Sequence, residues 1–244
     1  MNTEQIVDKM VSWIQDKVRA IGCKGVVLGM SGGLDSSVVS VLCKYAFPQG
    51  ILGVLMPCYS LPEDKDHAMA VADRFSIPTE VITLDSVFDA LRTVLPPDAE
   101  SSGTNQLAEV NLKVRLRMIV LYYYANKKSY LVVGSSNRSE LTTGYFTKHG
   151  DGGVDIMPIG NLVKEQVREL AGFLKIPQEI IDKPPSAGLW QGQTDDDELG
   201  FSYRELDRYL LNGEATTDFR EKIDSRIIAN KHKLQPPPIP DFQV

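Results

Sequence analysis

Gly25-Val26-Val27-Leu28-Gly29-Met30-Ser31-Gly32-Gly33-Leu34-Asp35-Ser36-Ser37 passes abruptly from apolar, β-branched residues to small polar ones, and Val38, Val39, Val41 and Leu42 then continue at helical spacing. The pattern predicts a buried strand, a tight glycine turn and a helix. Such a turn cradles anions. Gly32 and Gly33 let the backbone bend and approach a ligand, while the first free amides of the helix point into the bend with the positive end of its dipole. Ser31, Ser36 and Ser37 add hydroxyls for phosphate oxygens. Asp35 would oppose a phosphate, and a bridging divalent cation resolves that conflict.

Three common readings of such a turn compete. The nucleotide P-loop needs a lysine after its last glycine, and no lysine stands there; nor does a G-x-G-x-x-G fingerprint occur. Gly29 to Gly33 does fit G-x-S-x-G, the elbow of serine hydrolases. Chain order argues against it, because such an elbow takes an oxyanion amide from a loop after an earlier strand and too little chain precedes Gly25. The pattern S-G-G-x-D-S, Ser31 to Ser36, resembles instead the pyrophosphate (PP) loop of the ATP pyrophosphatases. Members of that superfamily cleave ATP between its α and β phosphates, adenylate a substrate and release pyrophosphate.

Bulk properties narrow the class. A chain of 244 residues with 43% hydrophobic residues can build a substantial core. No run approaches the roughly 18 uninterrupted apolar residues of a membrane span, and Met1-Asn2-Thr3-Glu4-Gln5 lacks a basic-then-apolar leader, so a cytoplasmic location is expected. Cys23, Cys43 and Cys58 are odd in number and lack C-x-x-C spacing, which suggests neither disulfides nor zinc. A formal charge of −6 disfavours nucleic-acid binding while leaving room for a local basic pocket.

Along the chain, residues 4 to 21 place Ile6, Met10, Trp13, Ile14, Val18 and Ile21 on one helical face. Apolar runs of strand length follow at 50 to 57, 80 to 84, 130 to 134 and 156 to 159, separated by helical patterns. Ser86 is expected to cap a short helix. A long helix over about 105 to 126 is expected to bury Leu112, Leu116, Ile119 and Tyr123; on residue pattern alone, Arg115 and Arg117 read as a solvated face. The alternation predicts an α/β fold, a doubly wound five-stranded parallel sheet with helices on both faces, ligands binding at the carboxyl ends of the strands. The glycine-rich stretch 142 to 160 reads as a binding loop, and the aperiodic stretch 184 to 194 as a mobile segment. Asp195 to Glu198 read as a solvated helix start, and Ser202 with Glu205 has capping-box spacing. No repeat or low-complexity linker divides the chain, so one domain over 1–244 is expected.

With these motifs in order, the chain resembles the ammonia-dependent NAD synthetases along most of its length. The resemblance rests on Ser31 to Ser36, Arg115-Leu116-Arg117-Met118, Asn137-Arg138-Ser139-Glu140, Gly144 to Lys148 with Gly150-Asp151, Asp155 before Pro158, Lys164, Lys183 to Ala187, Gly192 to Asp195, and His232-Lys233. It implies an adenine nucleotide alpha hydrolase-like fold and a ligase that converts deamido-NAD, ATP and ammonia into NAD, AMP and pyrophosphate with Mg2+.

By position, the resemblance assigns the ATP phosphates to Gly29, Met30, Ser31, Gly32, Gly33, Leu34, Asp35 and Ser36, with Ser135, Lys164 and Ser186 also contacting ATP. It assigns Mg2+ to Asp35 and Glu140, catalytic roles to Asp35 and Lys164, and deamido-NAD to Arg115, Lys148, Asp155, His232 and Lys233. It also implies a homodimer. Ser135 and Ser186 stand where the family often has threonine, and Asp196 where it usually has glutamate. No nitrilase-like glutaminase is visible, so free ammonia is the expected nitrogen source. Rival readings are another PP-loop amidating or thiolating enzyme, and a dinucleotide sensor without chemistry; the presence of both presumed metal carboxylates argues against the second.

Overall fold

The computed structural model describes residues 2–95, 103–185 and 195–241. Its centre is a four-stranded parallel sheet of β1 (Gly25–Gly29), β2 (Ile51–Leu55), β3 (Thr79–Val81) and β4 (Tyr130–Val133), in the order β3-β2-β1-β4. Val26 lies opposite Ile51 and Leu131, so β1 is central and paired on both sides. The chain winds outward from β1 in one direction to β2 and β3, then returns to place β4 on the other flank. That reversal opens a crevice at the carboxyl ends of β1 and β4, where parallel sheets bind ligands.

Alternation along β1 separates two apolar layers. Val26 and Leu28 pack with α1 (Thr3–Ile21), α2 (Leu34–Ala46) and α3 (Pro62–Phe75), whereas Val27 packs beneath α4 (Asp85–Val94) and α5 (Gly103–Lys128). After β4 come α6 (Arg138–Thr143), α7 (Lys164–Phe173) and α8 (Gln178–Asp182), the last two joining the first layer. A third cluster, centred on Leu206 and Ile223, unites α9 (Asp195–Leu199), α10 (Tyr203–Asn212) and α11 (Thr217–Asn230). Ser202 and Glu205 form the expected capping box at the start of α10. No helix among the described residues is long and apolar enough to cross a membrane.

Several expectations need correction. The predicted fifth strand is reduced to a single parallel bridge between Val133 and Ile156. Pro158 has no N–H for a ladder, and the chain turns at once through Gly160 N to Met157 O and Leu162 N to Ile159 O. The long helix buries Leu116 and half-buries Leu112 as expected, but it also buries Val110, Val114, Leu121 and Ala125 and leaves Ile119 58% and Tyr123 59% exposed. Its inward stripe is thus 110/114/117/121/125, rotated from the expected one, and Arg117 lies within it. In α1, Val7 is buried while Trp13 and Ile21 are exposed. Ser86 caps nothing, because α4 already begins at Asp85, whose carboxylate accepts the Tyr59 amide.

Candidate active site

The strand-turn-helix stretch forms as its composition requires. Gly32 has φ +78°, and a Cβ there would lie 2.1 Å from the carbonyl oxygen of Asp64. Only glycine satisfies both the left-handed backbone and that approach. Gly33 is the N-cap of α2 and gives it no side-chain cap. The first amides of α2 are therefore left for an anion. The serines brace the bend: the hydroxyls of Ser31 and Ser36 hydrogen-bond each other at 2.9 Å, and Ser37 donates to Gly33 O at 2.8 Å.

This bend opens onto a cavity of about 980 Å3 lined by Gly29, Met30, Ser31, Gly33, Leu34, Asp35 and Ser36, while Gly32 is buried against the Asp64 backbone and is not part of the lining. Ser135, Glu140 and Lys164 line the same cavity. Sequence-distant charges meet there. Lys164, only 5% exposed at the start of α7, donates to Asp35 Oδ2 and, at 3.3 Å, to Glu140 Oε1. Asn137 binds the two acids together, its side-chain amide donating to Asp35 Oδ1 at 3.0 Å and its backbone amide to Glu140 Oε2 at 3.1 Å. The Asn137 side chain also caps α6, so the cap of one helix sets the orientation of two carboxylates.

Burial pushes the Glu140 carboxyl up to about 8, opposed by Lys164 and reinforced by Asp35. Burial alone would lower the Lys164 ammonium, but Asp35 and Glu140 hold it above the ordinary lysine range. A third acid stands beside them. Asp195 is 4% exposed, accepts hydrogen bonds at 3.1 Å from the hydroxyls of both Tyr145 and Tyr203, and is not the solvated residue expected from the acidic run. Its charge reaches Lys164, whose ammonium lies 5.1 Å from the Tyr203 ring centroid.

Among the described residues, no three His, Cys, Asp or Glu side chains are placed to hold a cation by themselves. Two carboxylates beside an anion cradle nonetheless suit Mg2+, which is commonly held by one or two carboxylates with phosphate oxygens completing its shell. Asp35 and Glu140 fit that donor set. Basic side chains also line the cavity, among them Lys65, Arg168 and Lys183, so the local charge differs in sign from that of the chain as a whole.

The other predicted residues divide. Lys233 lines the cavity, its ammonium donating to the carbonyls of Gly144 and Phe146 at 2.7 and 3.0 Å. Arg115, Lys148 and His232 form a chain of contacts off that wall: Arg115 donates to Lys148 O at 3.3 Å, and Lys148 Nζ to His232 O at 2.8 Å. Asp155 accepts from Val132 N at 2.8 Å and the Tyr122 hydroxyl at 3.0 Å. Ser186 lies outside the described residues. Arg117 was read as solvated but lines the cavity, donating to Met56 O at 3.1 Å and Ser60 Oγ at 3.2 Å. The signal for it was present: an arginine at the middle of the Val110/Val114/Leu121/Ala125 stripe cannot point away from the sheet.

The chain matches the family described as NAD synthase over residues 6–237. It is 45% identical over 240 residues to the NH3-dependent NAD+ synthetase of Carboxydothermus hydrogenoformans, covering 98% of each chain. Among solved structures it is similar to the NMN synthetase of Francisella tularensis, with a TM-score of 0.92 at 32% identity over 99% of this chain and 100% of that one. It is also similar to the NH3-dependent NAD synthetase of Campylobacter jejuni, with a TM-score of 0.81 at 30% identity over 99% of this chain and 100% of that one.

Proposed function

Because the chain belongs to the NAD synthase family, we propose that it amidates deamido-NAD with ammonia at the expense of ATP, releasing AMP and pyrophosphate. The observation that carries this reading is the convergence of Asp35, Glu140 and Lys164 beside the uncapped start of α2. A nicotinate carboxylate does not react with ammonia, because its oxygen is a poor leaving group. Transfer of AMP to that oxygen breaks the α–β phosphoanhydride and expels pyrophosphate. Ammonia then adds to the acyl carbon, a proton is lost, and the tetrahedral intermediate expels AMP.

In this reading the bend from Gly29 to Ser36 receives the phosphates on the amides of α2, and Lys164 supplies positive charge to them. Ser135 and Ser186 add contacts to ATP. Asp35 and Glu140 would hold Mg2+, which supplies charge neutralisation as pyrophosphate departs. Arg115, Lys148, Asp155, His232 and Lys233 would receive the dinucleotide. Two anions must come together before any bond forms, so charge compensation and in-line positioning dominate the rate. Asn137 contributes by holding both acids in place before substrate arrives.

We also read residues 1–244 as one domain and the protein as a homodimer. Exposed Ile119 and Tyr123 stand with Ile82, Val120 and Tyr124 around an apolar surface hollow, which favours a second copy there. Sedimentation at micromolar concentration tests this, and a strictly monomeric protein refutes it. For the reaction, the test is NAD and AMP formation from deamido-NAD, ATP, Mg2+ and ammonium, run beside glutamine and beside nicotinate mononucleotide, since one structural neighbour is an NMN synthetase. Expected is equimolar NAD and AMP with ammonium and little turnover with glutamine. ADP and phosphate as products would overturn the adenylation.

A further inference from the structure

One basic side chain of the cavity has no part in the assignments above. Arg226 lies on the inward side of α11, between Ile223, which is fully buried, and Asn230, whose Cβ and Cγ crowd Gly144. Gly144 has φ +66°, and a Cβ there would fall 2.2 Å from Asn230 Cβ, so this glycine lets α11 seat closely against the end of α6. The guanidinium is thereby fixed at the cavity wall. Among the described residues its buried Nε has no hydrogen-bond partner and Arg226 forms no ion pair.

A buried unpaired guanidinium N–H is costly and calls for an acceptor. Lys233 stands close enough for the Arg226 charge to lower its ammonium, after burial, below the ordinary lysine range. Among the described residues Lys233 is satisfied by the carbonyls of Gly144 and Phe146, and neither cation is in direct contact with a carboxylate. Asp151 is the acid whose charge reaches Lys233, and its Oδ1 is already engaged by the Thr147 amide at 2.7 Å. Two like charges on the wall of one cavity, one with a buried donor that no described residue satisfies, describe a site suited to an oxyanion. Glu140 and Gly144 are four residues apart on α6 and its cap, about 6 Å along a helix axis, so this wall adjoins the proposed metal carboxylates.

We propose that Arg226 and Lys233 together form a dicationic subsite that binds an oxyanion of the nicotinate dinucleotide, its carboxylate or its diphosphate, with Arg226 Nε as a donor. This rests on the deamido-NAD reading and adds Arg226 to it. A planar guanidinium suits either group, because it offers two parallel N–H donors.

Arg226→Gln and Arg226→Lys are compared with the unaltered protein by calorimetry against deamido-NAD, NAD and ATP, with thermal unfolding run alongside. Expected for Arg226→Gln is a loss of about tenfold or more in deamido-NAD affinity, partly recovered in Arg226→Lys, with ATP affinity retained. An equal loss for NAD identifies the diphosphate; a loss confined to deamido-NAD identifies the carboxylate. Unchanged affinity for both dinucleotides, or an equal fall in ATP affinity, overturns the subsite. The two readings fail separately: unaltered protein that makes no NAD sinks the parent function, whereas active protein indifferent to Arg226→Gln sinks only this proposal.

Discussion

Arg117 Nε donates to the carbonyl oxygen of Met56 at 3.1 Å, joining the middle of α5 to the residue that follows β2. The same guanidinium reaches Ser60 Oγ, so one side chain holds the loop that forms the cavity wall beyond the sheet edge. Burial lowers its pKa from the ordinary arginine value, the direction expected for a cation taken from water.

Arg117→Ala removes donors from Met56 O and Ser60 Oγ, and leaving a partly buried acceptor unmade costs about 1–3 kcal/mol. Chemical denaturation should show a loss of that size, and Arg117→Lys should recover less than half of it, because a lysine cannot reach both acceptors in one plane. Full stability in Arg117→Ala would show that the loop holds itself.

Asp35→Asn keeps an oxygen for the Asn137 amide but removes the charge facing Lys164. The fold should persist, as read by circular dichroism, while Mg2+-dependent pyrophosphate release falls by about 100-fold or more. Near-normal turnover in this variant would refute the role assigned to Asp35.

Glu140 links stability to pH. Its carboxyl is pushed up from 4.5 to about 8 in the folded state, so between those values the folded protein retains a proton that the unfolded chain has released. In metal-free buffer its contribution is therefore most favourable below about pH 4.5 and is lost as pH rises toward 8. Glu140→Gln should flatten this part of the melting profile: between pH 5 and pH 8 the unaltered protein should lose more stability than the variant. Parallel profiles for the two proteins would contradict the shift.

Gly32→Ala tests the bend by itself. The added Cβ would meet Asp64 O at 2.1 Å with φ at +78°. A left-handed backbone costs a non-glycine residue about 1–2 kcal/mol before any clash, and the Asp64 backbone must also retreat. ATP affinity and melting temperature should fall together; a fall in neither would mean that the bend tolerates another conformation.

Much of this was legible locally. The strand, the glycine bend and the helix after it follow from residues adjacent in the chain, since β-branched runs, φ-permissive glycines and 3.6-residue spacing act within a few positions. The Ser202/Glu205 box is local for the same reason. The fifth strand was less so: Ile156 to Ile159 has strand composition, but Pro158 removes a ladder donor and the chain turns instead.

The sequence by itself determined the parallel α/β plan and the anion-binding bend with Asp35 at its rim, because each is written in short-range pattern, whereas Glu140 and Lys164 entered as site residues only through the family resemblance. Only the tertiary structure decided that Arg117 rather than Arg115 lines the cavity, that Asp195 is sealed beneath two tyrosines, and that Arg226 lines the same cavity as Lys233. The reason is geometric. One residue along a helix turns a side chain by about 100°, so a small error in the buried stripe exchanges cavity for solvent. Whether a charge is buried also depends on which distant element packs over it, and no local pattern records that.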